Sequence, residues 1–277
     1  MTTEPNDLWH TAELDLDAYL ARIGQPAAEP SPTALAALHE AHVSTIPFEN
    51  VEPLLGGAPA LDLPSITDKL VHRRRGGYCF EHALLFAAAL DRLGYSVTRL
   101  VARVPALDRG PRTHLSLAVR FGHTTYLAEV GFGAGVLRPL PLRHGTVVDQ
   151  GGWPQRITRE QGMWVLSKKT AEGWESMHAL DDTPQLPIDY VVANHYTATH
   201  PKSPFTYRLV VMRTEAGRTR QLVGDRYTVK TPDGTREERR IGPDELDELL
   251  RELDVVLEPE ELAGVVERYA GPGDVED

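Results

Sequence analysis

Apolar residues along this chain change their spacing at Gly94, and the change separates two kinds of structure. Before it the repeats are helical. Leu16, Tyr19, Leu20 and Ile23 share one face, with Asp15 as a cap ahead of them and Gly24 as a stop, so the spacing predicts a helix over 14–23. Ser31-Pro32 predicts a second helix start, with Leu35, Leu38 and His42 on one stripe. Ile46-Pro47 leaves helical geometry, 54–57 reads as a loop, and 66–71 as a short helix or turn. Phe80 to Leu93 is an apolar helical run stopped by Gly94.

Beyond Gly94 the period falls to two. Residues 97–104, 115–121 and 126–130 read as strands, with a turn at Gly122-His123-Thr124. A hairpin over 163–167 and 174–177 turns at Ala171-Glu172-Gly173. Short strands at regular spacing predict a small barrel or sandwich. Residues 184–194 read as a connector. An antiparallel set follows over 207–213, 221–224, 227–230 and 235–239, with Pro232-Asp233-Gly234 as one turn. Pro243 and Pro259 each start a closing helix, the first burying Leu246, Leu249, Leu250 and Leu253. The tail from Gly271 is acidic.

Composition narrows the function classes. A chain of 277 residues can hold two or three modest domains. Its net charge of −11 argues against nucleic-acid binding, and an anionic ligand would need a local site. No apolar run approaches a membrane span, and the polar first ten residues show no secretory signal. A single cysteine excludes an intrachain disulfide and fits a reducing compartment, so the expectation is a cytoplasmic protein.

That cysteine, Cys79, follows Gly76-Gly77 and opens the apolar helix. A thiol there sits among unpaired backbone N–H groups at the positive end of the helix dipole, which favours the nucleophilic thiolate. The two glycines are expected to allow a sharp turn and a clear approach to sulfur. A lone cysteine is otherwise a small buried hydrophobe; the Gly-Gly lead-in and the helix start favour the nucleophile. The basic run from His72 to Arg75 reads as a solvated face or as an aid to holding an anion and raising the thiolate fraction. His39 and His42 lack the spacing of a zinc-protease motif and read as structural.

A nucleophilic thiol needs a base, and the base an orienting acceptor. Among 11 histidines, His114 stands out because it opens a strongly alternating strand. A hairpin turning near Gly122 brings it close to Glu129, which could fix the imidazole tautomer. The hairpin alone leaves both a Cys79-His114-Glu129 triad and a structural ion pair open. Gly131-Phe132-Gly133-Ala134-Gly135 is not a dinucleotide fingerprint; it reads either as a loop approaching a phosphate or acyl group or as a plain turn.

Arg75-Gly76-Gly77-Tyr78-Cys79-Phe80-Glu81, Thr113-His114-Leu115 and Glu129-Val130-Gly131-Phe132-Gly133 together resemble arylamine N-acetyltransferases. Tyr19 to Gly24, Phe48-Glu49-Asn50, Asn194 and Ser203-Pro204-Phe205 extend the resemblance over nearly the whole chain. It implies an α+β fold of three parts: an N-terminal helical bundle over 1–94 carrying the nucleophile, a central β-barrel over 95–187 carrying the histidine and acid, and a C-terminal α/β lid over 188–277 with its connecting segment. The core would be a cysteine-protease-like Cys-His-acid site. Acetyl-CoA would be the acyl donor, an arylamine, arylhydrazine or hydrazide the acceptor, and no metal would be needed. Thr113, Phe132, Gly133 and Phe205 would line the acyl and CoA cleft.

The chain departs from the family pattern twice. Glu129 replaces an aspartate, and Ala83 replaces an asparagine four residues after the cysteine. Three other readings stand beside acetyl transfer: a macrolactam-forming amide synthase of the same family with a carrier-bound acyl chain, a thiol hydrolase, and a binding protein that has lost catalysis through Glu129. The preferred amine and the oligomeric state are open.

Overall fold

Side-chain capping starts the first two helices where the sequence places them. The Asp15 carboxylate accepts the Ala18 N–H at 2.9 Å and opens α1 (Leu16–Ile23), and Gly24 closes it at φ 66°. The Ser31 hydroxyl accepts the Ala34 N–H at 3.0 Å, with Pro32 as the first residue of α2 (Pro32–Thr45). These features belong to a computed structural model that describes residues 7–107, 110–133 and 135–269. The acidic tail from Gly271 lies outside the described residues, as does Ala134 of the glycine-rich loop.

After Pro47 comes a two-residue strand, β1 (Phe48–Glu49), then α3 (Val51–Leu54) and α4 (Leu63–Thr67). A π-helical turn over Asp68–His72 follows. Helix α5 (Cys79–Arg92) runs through the core, with every residue from Cys79 to Leu90 buried. A helix that is enclosed on all sides has no polar face to read, which is why its sequence is almost wholly apolar.

The alternating stretches form β2 (Ser96–Arg103), β3 (Arg112–Phe121), β4 (Thr124–Ala128), β5 (Leu140–Pro141), β6 (Thr146–Asp149), β7 (Pro154–Glu160), β8 (Met163–Thr170) and β9 (Gly173–Leu180). They make one antiparallel sheet in the order β5-β4-β3-β2-β9-β8-β7-β6. Its two edge strands approach each other, so the sheet curls into a nearly closed barrel. Leu100, Leu127, Leu140, Ile157, Leu166 and Leu180 fill it.

The segment expected to be a connector is instead α6 (Pro187–Thr199). Pro187 takes the first position, and the Asp189 carboxylate accepts the Leu186 N–H at 2.7 Å. Tyr190, Ala193, Asn194 and Thr197 are its buried stripe, while Ile188, Val191 and Val192 lie exposed. Apolar residues on both faces hide the helical period.

A five-stranded antiparallel sheet then runs β1-β10-β11-β12-β13, built from β10 (Val210–Glu215), β11 (Arg218–Val223), β12 (Arg226–Lys230) and β13 (Arg236–Arg240). Helix α7 (Leu246–Glu252) packs with it through Leu246, Leu249 and Leu250 and its cap Leu253, and α8 (Pro259–Tyr269) through Val265. The first of these begins at Leu246, later than Pro243. Strand β1 binds the N-terminal helices to this sheet, with Phe48 opposite Met212 and Glu49 opposite Val211. Next to it, Asn50 Nδ2 donates to the Phe205 and Arg208 carbonyls at 2.9 and 2.8 Å, and its Oδ1 accepts the Val210 N–H at 2.6 Å. No described helix is long and apolar enough to cross a membrane.

Candidate active site

Cys79 is the first residue of α5, as the helix signal places it. Neither Gly76 nor Gly77 adopts a positive φ, so the expected sharp turn is not their role. They make room. A Cβ on Gly76 would lie 2.3 Å from the Pro47 carbonyl oxygen, and one on Gly77 2.7 Å from Glu81 Oε2. That Glu81 carboxylate accepts the Tyr78 N–H at 3.0 Å and fixes the helix entry, while Lys69 pairs with its other oxygen at 2.7 Å.

His72, Arg73 and Arg74 of the basic run are exposed, as a solvated face is. Arg75 is buried and pairs with Glu49 at 2.8 Å and Glu261 at 2.7 Å, and Arg73 lies 3.6 Å from Glu261. Arg75 therefore joins the helical part to α8 and leaves no free charge for an anion.

The hairpin delivers the second and third groups. β3 and β4 pair in a register that sets Leu117 opposite Ala128, so Glu129 emerges just past the strand end, close to His114. Ala102 of β2 faces His114 while Arg103 faces Arg112, which makes Thr113 the extra residue of a β-bulge. Bulges re-aim side chains beside functional sites. Here the Thr113 carbonyl lies 3.9 Å from Cys79 Sγ, and Cys79 is near enough to His114 to help raise the ring's affinity for its proton. His114 Nε2 is 2.9 Å from Glu129 Oε1, so Nδ1 is the ring nitrogen left for sulfur.

Burial disfavours charge on His114, yet Glu129 and Cys79 raise it to about 10. Glu129 is fully buried, and the charge of His114 still holds it well below the usual carboxylate range. The pair is thus an imidazolium and a carboxylate around neutral pH.

Two residues that strand alternation reads as plain core meet the other carboxylate oxygen. Ser116 Oγ donates to Glu129 Oε2 at 2.5 Å. His178 Nε2 lies 3.0 Å from the same oxygen but off the line of a hydrogen bond, and neither ring nitrogen of His178 has an aligned partner. Burial holds His178 below its ordinary range, so it is neutral. His39 also reaches the site. Its Nε2 accepts the Glu129 N–H at 2.9 Å while Nδ1 donates to the Leu137 carbonyl at 2.9 Å. That pattern requires a neutral ring, and burial lowers His39 to about 4. His42 sits deeper, in a chain from the Tyr19 hydroxyl through His42 and His82 to the Pro47 carbonyl.

The other four residues singled out in the sequence surround this centre. Phe132 stands edge-on to His114, centroids 5.0 Å apart. Gly133, at φ 74°, has no room for a side chain beside Phe48 and Met212. Phe205 packs on Phe48 and Tyr78 at 5.9 and 6.1 Å, and Thr113 offers its carbonyl to the sulfur. Donor atoms of His114, Glu129 and His178 lie within 4.8 Å of one another. Both Glu129 oxygens already face donors, so this group reads as a hydrogen-bonded network rather than a ligand set.

Comparison with known proteins gives concordant matches. The N-acetyltransferase family profile matches residues 33–261. An arylamine N-acetyltransferase of Mycobacterium tuberculosis is 40% identical over 203 residues, 69% of this chain and 71% of that protein. The crystal structure of the Nocardia farcinica arylamine N-acetyltransferase superposes with a TM-score of 0.89 at 41% identity, covering 95% of this chain and 98% of the other. The Mycobacterium marinum arylamine N-acetyltransferase in complex with CoA superposes at 0.85 with 32% identity, over 91% and 99% of the two chains.

Proposed function

The chain belongs to the arylamine N-acetyltransferase family, and on that premise we propose that it moves an acetyl group from acetyl-CoA to an arylamine, arylhydrazine or hydrazide through a thioester on Cys79. The observation that carries the reading is the bond between His114 Nε2 and Glu129 Oε1 at 2.9 Å, with Cys79 at the start of α5 and Sγ 3.9 Å from the carbonyl of Thr113, the residue before His114.

The imidazolium of His114 favours the thiolate of Cys79 beside it. The thiolate attacks the acetyl carbonyl, forming an S–C bond as the bond to the CoA sulfur breaks. His114 protonates the departing thiolate. First-turn amides of α5 stabilise the oxyanion. The amine then attacks the acetyl-Cys79 thioester, its proton passes to His114, and Cys79 leaves as thiolate. Glu129 fixes the ring throughout and stabilises its charge.

Thr113, Phe132, Gly133 and Phe205 form the walls toward which the acyl group and CoA are brought. Segments 1–94, 95–187 and 188–277 act as helical bundle, barrel and lid. A catalytic thiolate needs a reducing medium, which supports a cytoplasmic setting. The macrolactam-forming alternative draws no support from relatives whose names specify arylamine acetyl transfer.

Incubation with acetyl-CoA, without acceptor, is expected to add one acetyl group to the intact mass, located at Cys79 and removed by an arylamine. A cysteine that stays unmodified under conditions of turnover would overturn the scheme, and Cys79→Ala supplies the blank.

A further inference from the structure

We infer that Ser116 is a positioning residue whose bond holds one oxygen of Glu129 so that the other faces the ring of His114, with the His178 ring packed against the held oxygen as a second support. The inference rests on the triad reading above and explains how a glutamate serves in it. A glutamate side chain has three rotatable bonds, and an unanchored one spreads over several rotamers. Here Oε1 meets His114 Nε2 at 2.9 Å while Oε2 is held by Ser116 Oγ at 2.5 Å. That separation is typical of a hydroxyl bonded to a charged carboxylate.

Strand geometry brings the three together. Ser116 lies two residues beyond His114 on β3, so both share a face. Ala102 of β2 faces His114 across one strand gap and Leu180 of β9 across the other. His178, two residues before Leu180, therefore belongs to the same face. Only the methyl group of Ala102 stands between the two outer strands at that level, which leaves space for the His178 ring to reach Glu129. The ring is braced by Phe132 at 5.3 Å and His114 at 5.2 Å.

The carboxylate 3.0 Å from Nε2 selects the tautomer with its proton there. The titratable groups around Glu129 are then accounted for: His114 and His178 at its oxygens, His39 of α2 at its main-chain N–H, and Cys79 beyond His114.

The test measures kcat/KM and the pH dependence of Cys79 alkylation by iodoacetamide, a clean readout because the chain has no other cysteine. Ser116→Ala is expected to lower kcat/KM about tenfold, the usual worth of one hydrogen bond to a charged group. It should also shift the alkylation midpoint, and Ser116→Thr should restore both. His178→Phe is expected to cost about threefold, because it removes the polar edge 3.0 Å from the held oxygen.

In a Glu129→Gln background, Ser116→Ala and His178→Phe should add little further loss, since both act through the carboxylate. Equal losses in both backgrounds, or none in the parent, overturn the inference. A crippled Glu129→Gln enzyme beside an unaffected Ser116→Ala enzyme sinks the clamp alone. A Glu129→Gln enzyme with full activity and an unmoved profile sinks the triad, and the clamp with it. Thermal melting monitors folding, and if either change unfolds the protein the other carries the comparison of the two backgrounds.

Discussion

Gly131 lies against the main chain of Cys79: a Cβ on it would sit 2.7 Å from the cysteine Cα and 2.8 Å from its carbonyl oxygen. The residue that follows the Glu129 segment thus presses directly on the start of α5, and the spacing of sulfur, imidazole and carboxylate depends on the absent side chain. Gly131→Ala is expected to force the two segments apart. Overpacking of this kind costs about 1–3 kcal/mol, and a displacement of ~1 Å at reacting groups can cost about a hundredfold in rate. A lowered melting temperature together with a fall in kcat of that order checks it; an alanine enzyme with parental kcat refutes it.

The ion pair at the centre predicts the alkaline limb of stability. His114 is raised from 6.5 to about 10 in the folded protein. Its contribution is complete below pH 6.5, where both states bind the proton, and is lost as pH rises through 10. Melting temperature is therefore expected to fall across that window. In Glu129→Gln the imidazolium loses its counter-charge, burial prevails, and the slope should flatten. Calorimetry from pH 6 to pH 10 on both proteins compares the two curves.

At the acid end the sign reverses. Burial pushes Glu129 up, but the charge of His114 more than offsets it and holds the carboxyl below its ordinary value of 4.5. Glu129 thus contributes stability above pH 4.5 that is lost as pH falls toward its folded value. Ser116→Ala, which removes a donor from the carboxylate, is expected to bring acid unfolding on at higher pH, as followed by far-UV circular dichroism.

Arg75→Met addresses the joint between β1 and α8. It leaves Glu49 fully buried without its partner and frees Glu261. Breaking one side of a buried pair costs about 3–5 kcal/mol, so a large fall in denaturant midpoint is expected. A change below about 1 kcal/mol, the usual worth of a surface pair, would show that the guanidinium is solvated.

Asn50→Ala removes three bonds that tie the segment after β1 to Phe205, Arg208 and Val210. A buried group left unpaired costs about 1–3 kcal/mol, and the Val210 N–H would be one. The variant is expected to lose stability of at least that size. Hydrogen exchange at Val210 should accelerate ahead of exchange in β3.

Local signals in the sequence carry much of this site. The start of α5, the hairpin that brings residues 114 and 129 together, and the caps of α1 and α2 follow from a few neighbouring residues each. Distant pairings leave no such trace. Strand β1 is two residues long and its partner lies in β10, so no alternation announces it. Helix α6 carries apolar residues on both faces and reads as a connector. Gly76 and Gly77 signal a turn but serve as spacers, because what they must avoid is a carbonyl and a carboxylate brought in by folding. Ser116 and His178 occupy inward positions of ordinary strands, and nothing nearby in the sequence marks them as neighbours of a charged group.

Asn50 and Val210 are 160 positions apart in the chain, yet the Val210 N–H bonds the Asn50 side chain at 2.6 Å and joins the N-terminal helices to the last sheet. During synthesis Cys79, His114 and Glu129 all emerge from the ribosome well before β10 does. The joint between the N-terminal helices and the last sheet is therefore completed only in the last quarter of translation.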